Sequence, residues 1–284
     1  MLFNSLSFAV FLPIVFILYW AIPHKWRWIV LFVSSYYFYM SWNVRYVLLI
    51  LFTTFISYIC AIGLDRAKSK RTKKIMIVST LIASLGCLFF FKYFNFLGDT
   101  VNSIFGLFSE LSPVPHLKLI MPLGISYYTL QSVSYVVDVY RGKVEPDRHF
   151  GRLALFISFF PQIVEGPIGR YGQLAHQLYE PHRVSCANLL QGMEMILWGL
   201  FKKMVVADRA GIFVDAVFHD SAAYTGLPVI LAVLLYTIQI YADFSGVMDI
   251  VRGVARLFGI QMALNFRRPF FSISVQEFWR RWHI

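Results

Sequence analysis

Charged residues are scarce in this chain of 284 residues: only 14% are Asp, Glu, Lys or Arg, whereas 58% are hydrophobic and 18% are aromatic. Soluble domains carry about 25% charged residues, so the composition excludes an ordinary soluble protein. Cysteine is scarce as well, because the 3 cysteines are scattered and cannot form a disulfide framework. The composition therefore predicts an all-α polytopic membrane protein.

Several catalytic motifs are missing. The sequence has no H-E-x-x-H, no closely spaced cysteine pair and no G-x-S-x-G, so zinc proteases and serine hydrolases have no support, and no metal site is predicted. A P-loop is missing too, which excludes that class of ATPase. The net charge of +11 could indicate nucleic-acid binding, but the Lys and Arg residues fall in short loops between apolar runs. We therefore expect no nucleic-acid partner.

Five apolar runs in the first half of the chain predict membrane-spanning helices. They cover residues 6–22, 28–39, 46–64, 75–91 and 119–139. Twelve Lys and Arg residues fall in the loops 25–27, 66–74 and 141–152, whereas the alternate loops hold few, among them Arg45 and Lys118. The positive-inside rule places the basic loops in the cytoplasm and the N-terminus outside.

The pattern changes in the second half of the chain. Residues 153–168 contain Pro161 and Pro167, which predicts a re-entrant or broken helix. Residues 188–206 are amphipathic, so we expect them to lie along the membrane interface. Residues 227–258 predict one long helix. Because no internal repeat or linker appears, we interpret residues 1–284 as a single membrane domain.

Polar residues within the apolar segments are the first candidates for a site, because they are costly there and usually line a cavity. Gln239 and Asp243 are spaced i, i+4 on one face of the long helix, either at a site or packed near one. Asp249 and Arg252 are spaced i, i+3, which favours a structural ion pair.

The helix-breaking segment 159–171 adds Gln162, Glu165 and Arg170 to these candidates. A re-entrant turn is its structural interpretation, and the wall of a substrate tunnel is its functional one. The two interpretations are compatible.

The end of the sequence places two tryptophans, two arginines and a histidine in five consecutive positions. Ser274 and Glu277 form an S-x-x-E capping box, which predicts a helix that begins at Ser274. With no stop signal after it, the helix is expected to run to the end of the sequence. Gln276, Arg280 and His283 would then share one polar face. An interfacial anchor is the alternative, because Trp and Arg favour the membrane boundary.

Six segments resemble successive blocks of the membrane-bound O-acyltransferase (MBOAT) superfamily, in the family's order and through the whole chain. They are most similar to the branch that contains the alginate O-acetyltransferase membrane subunit; the D-alanyl-lipoteichoic acid transfer protein is more distant. The segments are M-P-L-G-I-S-Y-Y-T-L-Q (121–131), V-D-V-Y-R-G (137–142), F-P-Q-I-V-E-G-P-I (160–168), Y-A-D-F-S-G (241–246), N-F-R-R-P (265–269) and F-W-R-R-W-H (278–283).

The resemblance implies a helical bundle around a funnel or tunnel in a bacterial cytoplasmic membrane, surrounded by lipids. It implies transfer of an acyl group, expected to be acetyl, from acetyl-CoA or another cytoplasmic thioester to an exported polysaccharide. The transfer is either direct or relayed through an extracytoplasmic SGNH-type partner. No tightly bound cofactor is expected.

The resemblance also implies that His283 is catalytic, with a second, principal histidine downstream of residue 284. We therefore expect the chain to be an N-terminal piece that is inactive by itself. The candidate substrate-binding residues are Gln162, Glu165, Arg170, Gln239, Asp243 and Arg280. Val247 and Met248 depart from the polar residues that relatives often carry there. A transporter, in which broken helices bind a substrate that moves unchanged, and a scaffold for polysaccharide export are the alternative functions.

Overall fold

The computed structural model describes residues 1–107, 114–220 and 222–284, and every regular element in these ranges is helical. The α-helices are α1 (Leu6–Ala21), α2 (His24–Met40), α3 (Val47–Arg66), α4 (Lys70–Phe105), α5 (Ile125–Tyr140), α6 (Phe150–Ser158), α7 (Tyr171–Leu174), α8 (Cys186–Leu200), α9 (Asp208–His219), α10 (Leu227–Leu257) and α11 (Val275–Arg281). Within the described ranges, 3 helical stretches are long and apolar enough to cross a membrane: Val44–Arg66, Lys70–Phe105 and Leu227–Leu257. The predicted all-α membrane protein is confirmed.

The helices of the first half follow the predicted apolar runs, and the largest differences are in α4 and α5. Helix α4 continues to Phe105, well past the predicted end at residue 91. Helix α5 begins at Ile125 rather than at residue 119, because Pro122 and Gly124 precede it. Helices α1 and α5, with 16 residues each, are shorter than the roughly 20 that a perpendicular crossing needs. The five-crossing topology therefore stays a prediction.

Gly124, at the start of α5, packs against the turn that follows α6. Its φ of 69° is left-handed, and a Cβ atom at this position would lie 2.0 Å from the carbonyl oxygen of Ile163. No other residue fits this contact without displacing the backbone. The M-P-L-G block and the F-P-Q-I block, which are far apart in sequence, therefore meet here.

The predicted break within residues 153–168 is confirmed. Helix α6 ends at Ser158, and the chain then turns back, with a hydrogen bond from the Gly166 N–H to the Gln162 carbonyl at 2.9 Å. The fully buried Phe160 ring anchors this turn, packing edge-on against Phe11 and Phe258 at centroid distances of 5.4 and 6.1 Å. The first part of the turn, through Val164, thus sits in the core between α1 and the end of α10.

Residues 188–206 pack lengthwise against α10, and their predicted location along the interface stays a prediction. Helix α8 passes through a π-helical segment (Phe201–Ala207) into α9, and both α-helices contact α10. Gly192 and Gly199 of α8 lie against Gly253 and Gly246 of α10, so the two helices are antiparallel. Small residues permit such a close approach of backbones between membrane helices.

After α10 the chain reverses and runs back along that helix; we call residues 258–268 the return segment. Its reversal uses Gly259, whose φ is 83°. The Gln177 side chain then holds the segment, because its amide donates to the Gln261 carbonyl at 3.1 Å and accepts from the Gln261 N–H at 2.8 Å. The return segment thereby carries Asn265 and Phe266 to the middle of α10, where the site is built.

Candidate functional site

Lys203 lies at the centre of a charged cluster. Its Nζ is 2.6 Å from Asp243 Oδ1 on α10 and 3.1 Å from Asp208 Oδ1 at the start of α9. Only 25% of the Lys203 side chain is exposed, so the ammonium depends on these carboxylates to replace water. Lys203 is not among the predicted site residues, because the amphipathic pattern of residues 188–206 predicts an interfacial helix. Its position in a π-helical segment, a conformation enriched at functional sites, was not predictable from the residues.

A first cavity, of about 180 Å³, opens beside this cluster. Glu165 from the turn after α6 lines it together with Lys203 and Asp243, and residues 1–4 form another wall. The structure thus brings together Glu165 and Asp243, two of the predicted site residues, although 78 positions separate them in sequence. The cavity offers two carboxylate groups and one ammonium group to a ligand.

The neighbouring Lys202 makes a separate set of contacts. Its Nζ is 2.5 Å from Asp249 Oδ2 and 3.1 Å from Ser245 Oγ. Arg252 Nη1 lies 3.5 Å from Asp249 Oδ1, which confirms the predicted i, i+3 ion pair. Asp249 is closer to Lys202, however, so the two cations share one carboxylate.

A second cavity, of about 150 Å³, lies on this side of α10. The π-helical segment, α10 and the return segment all contribute polar side chains to its wall. They include Lys202, Ser245, Asp249, Arg252, Asn265 and Arg268. Three cations and one carboxylate give the cavity a positive charge, which suits a ligand with negative charge or with developing negative charge.

His283 is connected to the second cavity through Asn265. The Asn265 amide nitrogen lies 3.4 Å from His283 Nδ1, and the Ile284 N–H donates to the Asn265 carbonyl at 2.9 Å. The Phe244 ring meets the imidazole edge-on at a centroid distance of 4.9 Å. Asn265 is 3% exposed, so it is a rigid support between the cavity and the histidine. An imidazole held in this way can act as a general base toward a hydroxyl group.

The local structure around His283 corrects one prediction. Ser274 caps α11 as predicted, and its Oγ accepts from the Glu277 N–H at 3.1 Å. The helix ends at Arg281, however, and His283 follows with a φ of 46°. The expected continuation to the end of the sequence is therefore wrong, as is the shared helical face of Gln276, Arg280 and His283.

Glu277 fastens the start of α11 to the preceding residue. Its carboxylate accepts from the Ile273 N–H at 2.9 Å and pairs with Arg281 one turn on. The Ile273 N–H, followed by the Arg281 guanidinium, holds the pKa of Glu277 below its ordinary value of 4.5. Arg280 is exposed on this helix and forms no ion pair with a described residue. Its role as a substrate-binding residue stays a prediction.

Gln162 and Arg170 lie apart from the charged cluster. They line a third cavity, of about 50 Å³, on the other side of the turn and against residues 261–263. Gln162 is 1% exposed, and its Nε2 donates to the Phe156 carbonyl at 3.2 Å, while its Oε1 has no partner among the described residues. The turn after α6 therefore directs Glu165 toward one cavity and Gln162 toward another.

Gln239 lies one turn before Asp243 on α10, as predicted, and faces α9. A Cβ atom at Gly211 of α9 would come 2.9 Å from Gln239 Nε2, so the amide packs directly on that glycine. Its Oε1 is buried without a hydrogen-bond partner in the described part of the chain. Gln239 therefore packs between two helices and also keeps an acceptor that a ligand could satisfy, so both interpretations from the sequence remain open.

Within residues 1–107, 114–220 and 222–284, no group of three or more His, Cys, Asp or Glu side chains could hold a metal ion. The chemistry that the described residues can supply is proton transfer by His283 and charge stabilisation by the lysines and arginines around the second cavity. The catalytic and binding roles stay predictions.

Curated relatives match the whole chain. It is 31% identical, over 320 aligned positions, to the peptidoglycan O-acetyltransferase of Helicobacter pylori, and 33% identical, over 287 positions, to the probable alginate O-acetylase AlgI of Pseudomonas aeruginosa. Both alignments cover 100% of the chain but only 59% and 54% of the relatives, so the chain spans little more than half their length.

A third relative is similar over part of the chain. The teichoic acid D-alanyltransferase of Bacillus subtilis is 30% identical over 207 positions, which cover 67% of the chain and 51% of the relative. No family model matches the chain.

Proposed function

Because the chain belongs to the membrane-bound O-acyltransferase superfamily, we propose that it forms part of an O-acyltransferase in a bacterial cytoplasmic membrane. The observation that carries the proposal is its similarity, from end to end, to a peptidoglycan O-acetyltransferase and an alginate O-acetylase. The D-alanyltransferase adds a third protein whose name denotes attachment of an acyl group to a polymer. Acetyl is the acyl group that the two relatives aligned with the whole chain favour.

The donor in this proposal is acetyl-CoA or another cytoplasmic acyl thioester, used as a substrate, so no tightly bound cofactor is needed. The acceptor is a hydroxyl group of an exported polysaccharide, reached directly or through an SGNH-type partner outside the membrane. The buried break after α6 and the polar cavities beside α10 support a protein-lined path, because a charged thioester cannot cross lipid unaided.

His283 takes the role of general base. Its support by Asn265 and Phe244 favours this role, because a base must be oriented toward the proton that it removes. Glu165, Asp243 and Lys203 take the role of a binding site for hydroxyl groups, since carboxylates accept and an ammonium donates hydrogen bonds.

The test uses the protein expressed with whatever sequence follows Ile284 in its gene. Membranes that contain it should transfer radiolabelled acetyl from acetyl-CoA to polysaccharide or to a partner protein. His283→Ala should remove at least 99% of this transfer at equal expression, since general base catalysis contributes about 10²- to 10⁴-fold. His219→Ala, at the exposed end of α9, is the matched control and should keep the activity. Full activity in His283→Ala would overturn the proposal.

A transporter is the second candidate, favoured by the charged cavities and the broken helix. The two functions differ in their product, because a transporter releases its substrate chemically unchanged. Mass spectrometry of the polysaccharide distinguishes them: an ester-linked acyl group supports the transferase. Substrate movement with no new ester in any product supports the transporter. A scaffold for export needs neither outcome and would tolerate His283→Ala.

A further inference from the structure

A fourth cavity, of about 230 Å³, lies between α8 and α10 on the other side of Arg252. Arg252 and Arg256, one turn apart on α10, line it together with Gln191 of α8 and Gln261 of the return segment. One water needs about 10–15 Å³ of such space. The cavity can therefore hold a group as large as phosphate.

The charges around this cavity are not balanced. No carboxylate lines it in the part of the chain that the structure describes. Arg256 donates to the neutral Gln191 Oε1 at 2.9 Å. Arg252 shares Asp249 with Lys202, and Lys202 is closer, at 2.5 Å against 3.5 Å. Two like charges at i, i+4 repel each other, so an anion between the guanidinium groups would be stabilising.

The Arg252 side chain also has an unsatisfied hydrogen-bond donor. Its Nε is buried and has no hydrogen-bond partner among the described residues. A buried donor that lacks an acceptor is costly, and the cost is larger for a charged group. An anion close to the guanidinium group would offset part of this cost.

The position of the cavity relative to the membrane restricts which kinds of anion can reach it. The Leu257 carbonyl, at the end of α10, accepts from Trp20 Nε1 at 3.3 Å. Trp20 lies at the end of α1, next to the basic first turn of α2 (residues 25–27), which the positive-inside rule places in the cytoplasm. Arg252 is five residues from Leu257, or about 8 Å along the helix. With the predicted topology, both arginines lie at the cytoplasmic boundary, at the depth of phospholipid headgroups.

We propose that Arg252 and Arg256 form a binding site for a phosphate group at this boundary. Guanidinium groups suit phosphate because their paired N–H donors match its oxygen atoms. Basic pockets between spanning helices on the cytoplasmic side bind anionic headgroups in the same way. The phosphate belongs to an anionic phospholipid or to a soluble phosphate compound, which present the same chemistry. The site stands independently of acyl transfer.

The experiment follows thermal unfolding of the purified protein, expressed with whatever sequence follows Ile284, in neutral detergent. One arm adds dioleoylphosphatidylglycerol, with dioleoylphosphatidylcholine as its control, and the other adds sodium pyrophosphate, with sodium chloride of equal ionic strength as its control. A ligand at free concentration L that binds the folded state stabilises it by RT ln(1 + L/Kd), so the rise of Tm with ligand concentration yields an apparent affinity. At least one of the two phosphate compounds should raise Tm beyond its control.

The variants locate the binding. Arg252→Gln and Arg256→Gln should each weaken the apparent affinity about tenfold or more, because each removes a charged hydrogen bond. Arg183→Gln, an exposed charge near the same boundary that does not line the cavity, should leave it unchanged. Should a glutamine variant not fold, Arg256→Lys replaces it. Lysine keeps the positive charge but lacks the paired N–H donors of the guanidinium group, so it should weaken binding to a smaller degree.

Stabilisation by phosphatidylglycerol alone would identify a lipid headgroup as the source, and stabilisation by pyrophosphate would identify a soluble phosphate. Either result supports the site if the arginine variants weaken it. The proposal is overturned if neither compound exceeds its control, or if Arg183→Gln weakens the effect as much as Arg252→Gln does.

Discussion

Gly199 of α8 and Gly246 of α10 lie with their backbones in contact. A Cβ atom at Gly199 would come 2.5 Å from the Gly246 carbonyl oxygen, and one at Gly246 would come 2.8 Å from the Gly199 carbonyl oxygen. Gly192 and Gly253 repeat the arrangement two turns away, at 2.9 and 2.6 Å. This contact sets the distance between α10 and the π-helical segment, and so places the two lysines of that segment on the carboxylates of α10.

Gly246→Ala should destabilise the protein. The added methyl group would meet the backbone of α8, which cannot move aside as a side chain does, and overpacking of this kind costs about 1–3 kcal/mol. A lower Tm and faster proteolysis would show the effect. Gly86→Ala in α4 is the matched control, because a Cβ atom there meets nothing within 4 Å. Equal stability of the two variants would contradict the close packing.

Lys203 and Asp243 should be energetically coupled. In a double-mutant cycle, Lys203→Met and Asp243→Asn should each destabilise the protein, and together by less than their sum, because each single change leaves the other charge with a weaker partner. The expected coupling is about 0.5–3 kcal/mol. Unfolding by denaturant measures it. As a control, the destabilising effects of Asp99→Asn, an exposed residue on α4, and Lys203→Met should simply add. If the effects of Asp243→Asn and Lys203→Met also simply add, the ion pair does not contribute to stability.

Ser274→Ala should loosen the start of α11. The variant loses the hydrogen bond from the Glu277 N–H to the cap, at a cost of about 1 kcal/mol. Hydrogen exchange of residues 275–281 should then become roughly five times faster, while exchange in α10 stays unchanged. Ser272→Ala, two residues earlier, should have no such effect, because Ser272 ends the turn before α11 through its backbone N–H and not through its side chain. Unchanged exchange in Ser274→Ala would show that the cap does not hold this helix.

The same helix should respond to pH through Glu277. The pKa of this carboxyl is lowered in the folded protein, so its contribution to stability is fully present above its ordinary value of 4.5 and is lost as pH falls through the lower, folded value. Hydrogen exchange of residues 275–281, corrected for the intrinsic rate, should show less protection below about pH 4.5. Glu277→Gln should remove this pH dependence. A wild-type profile that is flat down to pH 3 would contradict the predicted shift.

The topology can be tested with single cysteines in a protein whose own cysteines are replaced by serine. A reagent that cannot cross the membrane should miss a cysteine at Ser69, in the basic loop before α4, and reach one at Ser112 or Thr225. The predicted labelling of Ser112 rests on the charge distribution alone, because this residue lies outside the described residues. The predicted labelling of Thr225 rests on the structure, since α10 begins near Thr225 and ends beside Trp20. Labelling at Ser69 but not at Thr225 would reverse the topology.

The sequence alone predicted the features that depend on local physics. The apolar runs predicted the helices and the membrane class, the prolines and glycines of 153–168 predicted the break after α6, and Ser274 with Glu277 predicted the start of α11. Each of these follows from residues close together in the chain, where periodicity, caps and helix breakers act. Asp249 and Arg252 belong to this group, because their spacing on one helix suffices to pair them.

Only the tertiary structure decided which of the candidate residues meet. Lys203 was assigned to an interfacial helix, yet the glycine contacts with α10 place it between Asp243 and Asp208, in the wall of the cavity that Glu165 also lines. His283 was assigned to a helical face, yet its left-handed backbone turns it toward Asn265, which the return segment delivers from elsewhere in the chain. Such contacts depend on the packing of whole helices against each other. The amino-acid pattern along one helix does not predict which other helix it will pack against.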